Sequence, residues 1–202
     1  MKTPNLNRII PRAHEFVREV LGEGDLAVDL TAGNGHDTLM LAEAVGPTGQ
    51  VVAFDVQQAA VERTSERLNA AGIAFRRIEG IDRLEPKDRV GLFLADHARF
   101  AACLPRPPQA VLANLGYLPG SDRTVATRPA TTRAALEAAF ESLAVGGRVA
   151  VVVYVSHDGA ALEADTVDAL VRQLPADCWQ VLEMRAVNRP EAPYLIVAQK
   201  DR

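Results

Sequence analysis

The chain alternates short, unbroken apolar runs with longer stretches in which apolar residues recur every three or four positions. The first kind suits strands of a parallel sheet covered on both faces, and the second suits the amphipathic helices that cover it. Strands are expected over 26–30, 50–55, 90–95, 110–114, 148–154, 179–187 and 194–199. The charge-rich stretch 73–89 reads either as a short strand at 74–78 or as an extended insertion. Helices are expected over 12–21, 36–45, 57–71, 131–144 and 160–174, the first with Ala13, Phe16, Val17, Val20 and Leu21 on one stripe. Glycines at 22, 24, 46 and 72 punctuate the first three helices. The short proline-bearing link 188–193 predicts an antiparallel ending to the sheet. The result is an α/β three-layer sandwich with a seven-stranded, mainly parallel sheet and an antiparallel last strand.

A length of 202 residues suits one domain, with 1–22 as an N-terminal helix extension. No apolar run approaches the ~20 residues that span a bilayer, and Met1-Lys2-Thr3-Pro4-Asn5 lacks the apolar core of a secretory signal. No membrane association and a cytoplasmic location are therefore expected. Cys103 and Cys178 lack metal-type spacing, so they read as thiols, and no metal site is expected. A net charge of −4 excludes a global pull toward nucleic acid. Arginine nevertheless supplies 19 of the 22 positive residues, which suits phosphate and base contacts, although a GC-rich genome gives the same bias. The oligomeric state is not legible, and a homodimer stays open.

The first strand runs into Asp29-Leu30-Thr31-Ala32-Gly33-Asn34-Gly35, just before a helix that begins with His36, Asp37 and Thr38. Glycines in such a turn let backbone approach a ligand and leave N–H groups free to bind it. Thr38 stands where the dinucleotide fingerprint needs a third small residue, which weakens a nicotinamide reading. Asp29 offers a carboxylate where a cationic ligand such as a sulfonium amino acid would lie. Asp55 ends the second strand twenty residues after Gly35, followed by Val56 and Gln57; a carboxylate there accepts both hydroxyls of an adenosine ribose and repels a 2′-phosphate. Asp96, beside His97, either accepts from an adenine amino group or caps a helix.

At the end of the fourth strand, Asn114-Leu115-Gly116-Tyr117 resembles the Asn/Asp-Pro-Pro-Tyr/Phe motif of enzymes that methylate amino groups. Methyl transfer to nitrogen is an in-line displacement that depends mainly on positioning. Asn114 Oδ1 and a turn carbonyl can accept the amine hydrogens, and Tyr117 can stack on a base or face a sulfonium. His36, His97 and His157, with Asp37 and Asp158, fall at strand ends and are expected to form a polar rim around one pocket. A neighbouring imidazole or carboxylate would relieve an alkylammonium of its proton.

These pieces place the chain in resemblance to the Rossmann-like class I S-adenosyl-L-methionine-dependent methyltransferases. More closely, it resembles the small bacterial YtqB-like family of rRNA-methylase-like proteins, understood as tRNA 5-aminomethyl-2-thiouridine methyltransferases. The matching strings are DLTAGNGHDTLML from Asp29, FDVQ at Phe54, NLGYLPG from Asn114 with Ser121-Asp122-Arg123, Thr127 with Thr131-Thr132, and YVSHDG from Tyr154 with Glu163. The resemblance implies S-adenosyl-L-methionine as cofactor, with Asp29, Asn34, Asp55 and Gln57 at it; Thr31, Ala32, Gly33, Gly35, Asp37, Thr38, Val56, Asp96, His97 and Asn114 complete the expected cofactor site. Asn114, Tyr117 and His157 are the expected catalytic residues. His36, Leu115, Gly116, Asp122, Arg123, Thr127 and Tyr154 would then meet the nucleotide. The implied partner is tRNA at its anticodon, whose wobble uridine carries the aminomethyl group. Arg123, Arg128 and Arg133, extended by Arg8, Arg12 and Arg18, would supply a local basic patch. Two departures stand out: residues 81–89 look inserted, and Ser156 replaces the glycine usual before His157. An rRNA or small-molecule amine substrate, and a nucleotide- or RNA-binding module without chemistry, remain the competing readings.

Overall fold

Apolar runs that carry no alternation become strands only if both faces of the sheet are covered, and helices cover both here. The computed structural model describes residues 8–116, 127–155 and 160–202. Along the chain these form α1 (Ile9–Arg18), β1 (Leu26–Asp29), α2 (His36–Ala44), β2 (Gln50–Asp55), α3 (Gln58–Ala70), β3 (Phe75–Glu79) and β4 (Val90–Leu94). A 3₁₀ segment (His97–Cys103), β5 (Ala110–Asn114), α4 (Pro129–Ser142), β6 (Arg148–Val153), α5 (Ala160–Val171), β7 (Trp179–Met184) and β8 (Tyr194–Lys200) follow. In β6, Val149, Val151 and Val153 enter one core while Ala150 and Val152 enter the other; β5 divides Val111 and Ala113 from Ala110 and Leu112 in the same way. The period of two is intact, but hydropathy hides it. Helices α1 and α2 contribute Ala13, Val17, Met40 and Leu41 to one core, and α4 and α5 contribute Leu136, Ala139, Val167 and Leu170 to the other.

The sheet order is β3-β4-β2-β1-β5-β6-β8-β7, with every pairing parallel except those of β8, which is antiparallel to both neighbours. The expected antiparallel ending is present, but the sheet has eight strands where seven were expected. The extra one is β3, in the stretch the sequence left open. It pairs with β4 along one side and buries only Ile78, while Arg77 and Glu79 stay exposed. Such charges protect a sheet edge and also erase the strand pattern. Residues 81–89 pack over β4 and against the start of β2. Leu84 is buried over Gly91, Gln50 Nε2 donates to the Glu85 and Asp88 carbonyls at 2.9 Å each, and Arg76 pairs with Asp88.

Helix α1 starts at Ile9, earlier than expected, because Pro11 lies in the first turn, where a missing N–H costs nothing. Its buried stripe is Ile9, Ala13 and Val17, so it is part of a covering layer and not an appendage. Arg148 fastens it to the sheet, donating to Phe16 O at 2.7 Å and to Glu19 at 2.6 Å. The chain order reverses on either side of β1, with β2 to one side and β5 to the other. Ligands in open α/β sheets bind outside the carboxyl ends of the strands at such a switch point. Asp29, Asp55 and Asn114 end those three strands.

Candidate active site

Beyond β1 the backbone turns through Gly33 (φ 54°) and Gly35 (φ 77°) into α2. A Cβ on Gly35 would stand 2.8 Å from the Thr64 backbone in α3, so this position needs glycine for both conformation and close helix approach. The turn is docked on β2: Ala32 N donates to Phe54 O at 2.7 Å and Gly33 N to Asp55 Oδ2 at 2.9 Å. Gln57 N donates to Asp55 Oδ1 at 2.9 Å. Burial pushes the Asp55 carboxyl up, and the Gln57 and Gly33 N–H groups oppose that push. The N-cap of α2 is Gly35, which has no side chain to accept from the first turn, so those N–H groups suit an external acceptor. Val56, just beyond, is 55% exposed.

Asp29 faces inward. It is fully buried, its Oδ2 accepting from Thr38 Oγ1 at 2.6 Å and its Oδ1 from Thr31 N at 3.0 Å. Burial, and then the nearby Asp37 carboxylate, push it up to about 7. Asp29 and Thr38 therefore close the turn, and any influence of Asp29 on a bound cation acts through its field. Thr31 Oγ1 accepts from Asn114 N at 2.8 Å and so ties this turn to the end of β5.

His36 and Asp37 diverge because successive helical residues point about 100° apart. His36 is exposed and lines a cleft of about 630 Å³ between α2 and α3, with Asn34, Arg63 and Arg67. There Arg67 donates to Asn34 O at 2.7 Å and to His36 Nε2 at 3.1 Å, while Arg63 donates to Asn34 Oδ1 at 3.1 Å. Asp37 turns the other way. Its Oδ1 lies 2.6 Å from His14 Nε2 and its Oδ2 accepts from Asn114 Nδ2 at 3.4 Å. His14, on α1, had not been singled out in the sequence; its one available signal was a position beside the buried Ala13.

On the opposite layer, His97 is buried. Its Nδ1 donates to Leu30 O at 3.0 Å, and its Nε2 has no partner among the described residues. Burial pushes its imidazole down, against the pull of Asp96 and the Leu30 carbonyl. The expected single rim of histidines is therefore split: His36 and His97 lie on opposite layers of the sheet. Asp96 Oδ1 accepts from Ala98 N at 2.9 Å, capping the 3₁₀ segment. Leu115 is in the core, whereas Gly116 and Thr127 exchange backbone and hydroxyl bonds: Gly116 N to Thr127 Oγ1, and Thr127 N to Gly116 O, each at 2.9 Å. Thr127 and Thr132 then donate to the buried Glu163 at 2.7 and 2.6 Å. Glu163 thus anchors the chain just after residues 117–126, and Thr127 ties that point to Gly116. Tyr154 is half-buried against the α1–α2 core. Tyr117, Asp122, Arg123 and His157 lie outside the described residues.

Among the described residues no three His, Cys, Asp or Glu side chains gather as metal ligands, and no helix is long and apolar enough to cross a membrane.

Comparison with known proteins falls on this same arrangement. Residues 51–200 match the model of the family described as putative rRNA methylase. The tRNA (mnm5s2U34)-methyltransferase of Arabidopsis thaliana chloroplasts is 35% identical over 191 residues, which cover 91% of this chain and 66% of that protein's length. A putative rRNA-methylase of Clostridium thermocellum superposes with a TM-score of 0.86 at 31% identity, over 99% of this chain and 100% of the other. A putative methyltransferase of Streptococcus mutans, solved in complex with SAH, gives 0.82 at 32% identity over 97% and 99%.

Proposed function

Because the chain belongs to the putative rRNA methylase family, we propose that it methylates an amine nitrogen in RNA, namely the aminomethyl group on the wobble uridine of a tRNA. S-adenosyl-L-methionine supplies an electrophilic methyl group on a sulfonium. Asp55 receives the ribose hydroxyls, and the Gly33–Gly35 turn and the start of α2 receive the amino-acid end.

The observation that carries the nitrogen reading is the orientation of Asn114. Its Nδ2 donates to Asp37, so its Oδ1 is the end left to accept from an incoming amine. A positioned acceptor aims the nitrogen lone pair and holds it near attack distance. Among the described residues Arg12 and Arg133 pair with Glu15 and Glu137 on their own helices, contacts weak enough to yield to phosphate.

The test is incubation of the full chain with methyl-labelled donor and tRNA bearing 5-aminomethyluridine. Label in the wobble nucleotide is expected. Label in ribosomal RNA or in a free amine, with tRNA inert, would replace this substrate with the alternative. The cofactor assignment has its own check: Asp55→Ala removes two charge-assisted hydrogen bonds and should weaken S-adenosylhomocysteine binding by about 10²-fold, read by calorimetric titration.

A further inference from the structure

Asp37 and His14 form an acid–imidazole pair, the Asp37 side chain bonding His14 and Asn114 and not the Gly33–Gly35 turn. Their side chains are 9% and 18% exposed and meet at 2.6 Å. The second Asp37 oxygen points to the Asn114 amide, 3.4 Å away. An aminomethyl group is largely an ammonium at neutral pH and has no lone pair until it loses a proton. Resting on the amine-methylating reading above, we propose that Asp37, backed by His14, takes that proton.

The arrangement supplies each part of the path. An ammonium held by Asn114 Oδ1 lies beside Asp37 Oδ2. The proton passes to that carboxylate, and the 2.6 Å contact hands a proton on to His14, whose partial exposure on α1 leads to solvent. The freed nitrogen pair forms the new N–C bond as the sulfonium S–C bond breaks, leaving its electrons on sulfur. The products are a secondary ammonium and a neutral thioether. Around Asp37 stand His14 from α1, Asp29 from β1 and the uncharged Asn114 from β5, with Asp55 of β2 beyond Asp29. From α3, Arg63 and Arg67 are engaged with Asn34 and His36. Asp29 is no rival acceptor, because Thr31 N and Thr38 Oγ1 occupy its oxygens in a fully buried place.

The experiment measures single-turnover methylation of 5-aminomethyluridine tRNA from about pH 6 to about pH 10 for the wild type, Asp37→Asn and His14→Gln. Near neutrality Asp37→Asn should be slower by about 10²-fold and His14→Gln by about tenfold, each regaining about tenfold per pH unit as hydroxide does the base's work. For His14→Gln, S-adenosylhomocysteine affinity should hold within about threefold. Without any turnover, the ¹⁵N spectrum of the His14 ring should change once Asp37 is amidated, because its 2.6 Å partner is altered. Rate profiles parallel to wild type at every pH, or an undisturbed His14 ring spectrum, would overturn the proposal and leave the amine reading standing. A wild type inert toward the tRNA would remove both. If Asp37→Asn does not fold, His14→Gln at its partly exposed site decides alone.

Discussion

Asn114→Ala is expected to slow methyl transfer by about 10²–10³-fold while binding of S-adenosylhomocysteine changes by no more than about threefold. The asymmetry follows from what the side chain touches. Its backbone N–H bonds Thr31, so the tie between β5 and the glycine turn survives the substitution. Its amide makes one long bond to Asp37, whose loss costs little stability. What disappears is the acceptor that aims the substrate nitrogen, a contact needed most at the point of attack. A loss confined to transition-state positioning lowers the maximal rate and the specificity constant together. Rapid-quench rates at saturating cofactor, set beside calorimetric affinity, make the measurement. Unchanged turnover with intact cofactor binding would move the reacting centre elsewhere or leave a binding module without chemistry.

The parts of this site that were legible in the sequence are those written in consecutive residues. The apolar runs located seven strands, and the Asp29–Gly35 and Asn114–Gly116 strings fell at strand ends because strand, turn and helix are local events. Contacts between elements distant in sequence were not legible. His14 meets Asp37 across 23 positions, and nothing in the α1 pattern distinguishes a histidine that points at a carboxylate from one that points at water. His36 and Asp37 looked like one feature because they are neighbours in sequence, yet the helix turns them to different sides. Strand β3 was hidden by the same edge charges that keep it from pairing further. Glu163 shows a third kind of blindness: a glutamate in a helix reads as surface, and only the fold reveals that two threonines from another segment bury it.

Asp29→Asn is expected to make the folded chain more stable above neutrality and less able to hold its methyl donor. Burial and Asp37 push the Asp29 carboxyl from its ordinary 3.8 up to about 7. Between those values the folded chain keeps a proton that the unfolded chain releases, so stability falls as pH rises from about 4 through about 7. Some three pH units at 1.36 kcal/mol each put the cost of the ionised, desolvated carboxylate at up to about 4 kcal/mol in mildly alkaline solution. Asparagine is nearly isosteric and keeps both bonds, its oxygen accepting from Thr31 N and its amide donating to Thr38 Oγ1. The variant should therefore match wild type near pH 4 and exceed it near pH 8, with a melting temperature higher by on the order of 10 °C. The functional cost should depend on ligand charge. A sulfonium next to Asp29 favours the ionised carboxylate, so affinity for S-adenosylmethionine should fall by about tenfold and affinity for the neutral thioether product by much less. A melting-temperature difference that does not change with pH would mean that Asp29 carries no buried charge. Equal losses for cation and thioether would mean that its field does not reach the sulfur. A charge that destabilises the empty fold and is compensated by the cationic ligand is the arrangement expected of a binding carboxylate, and it explains why an acid, rather than the better-tolerated amide, ends β1.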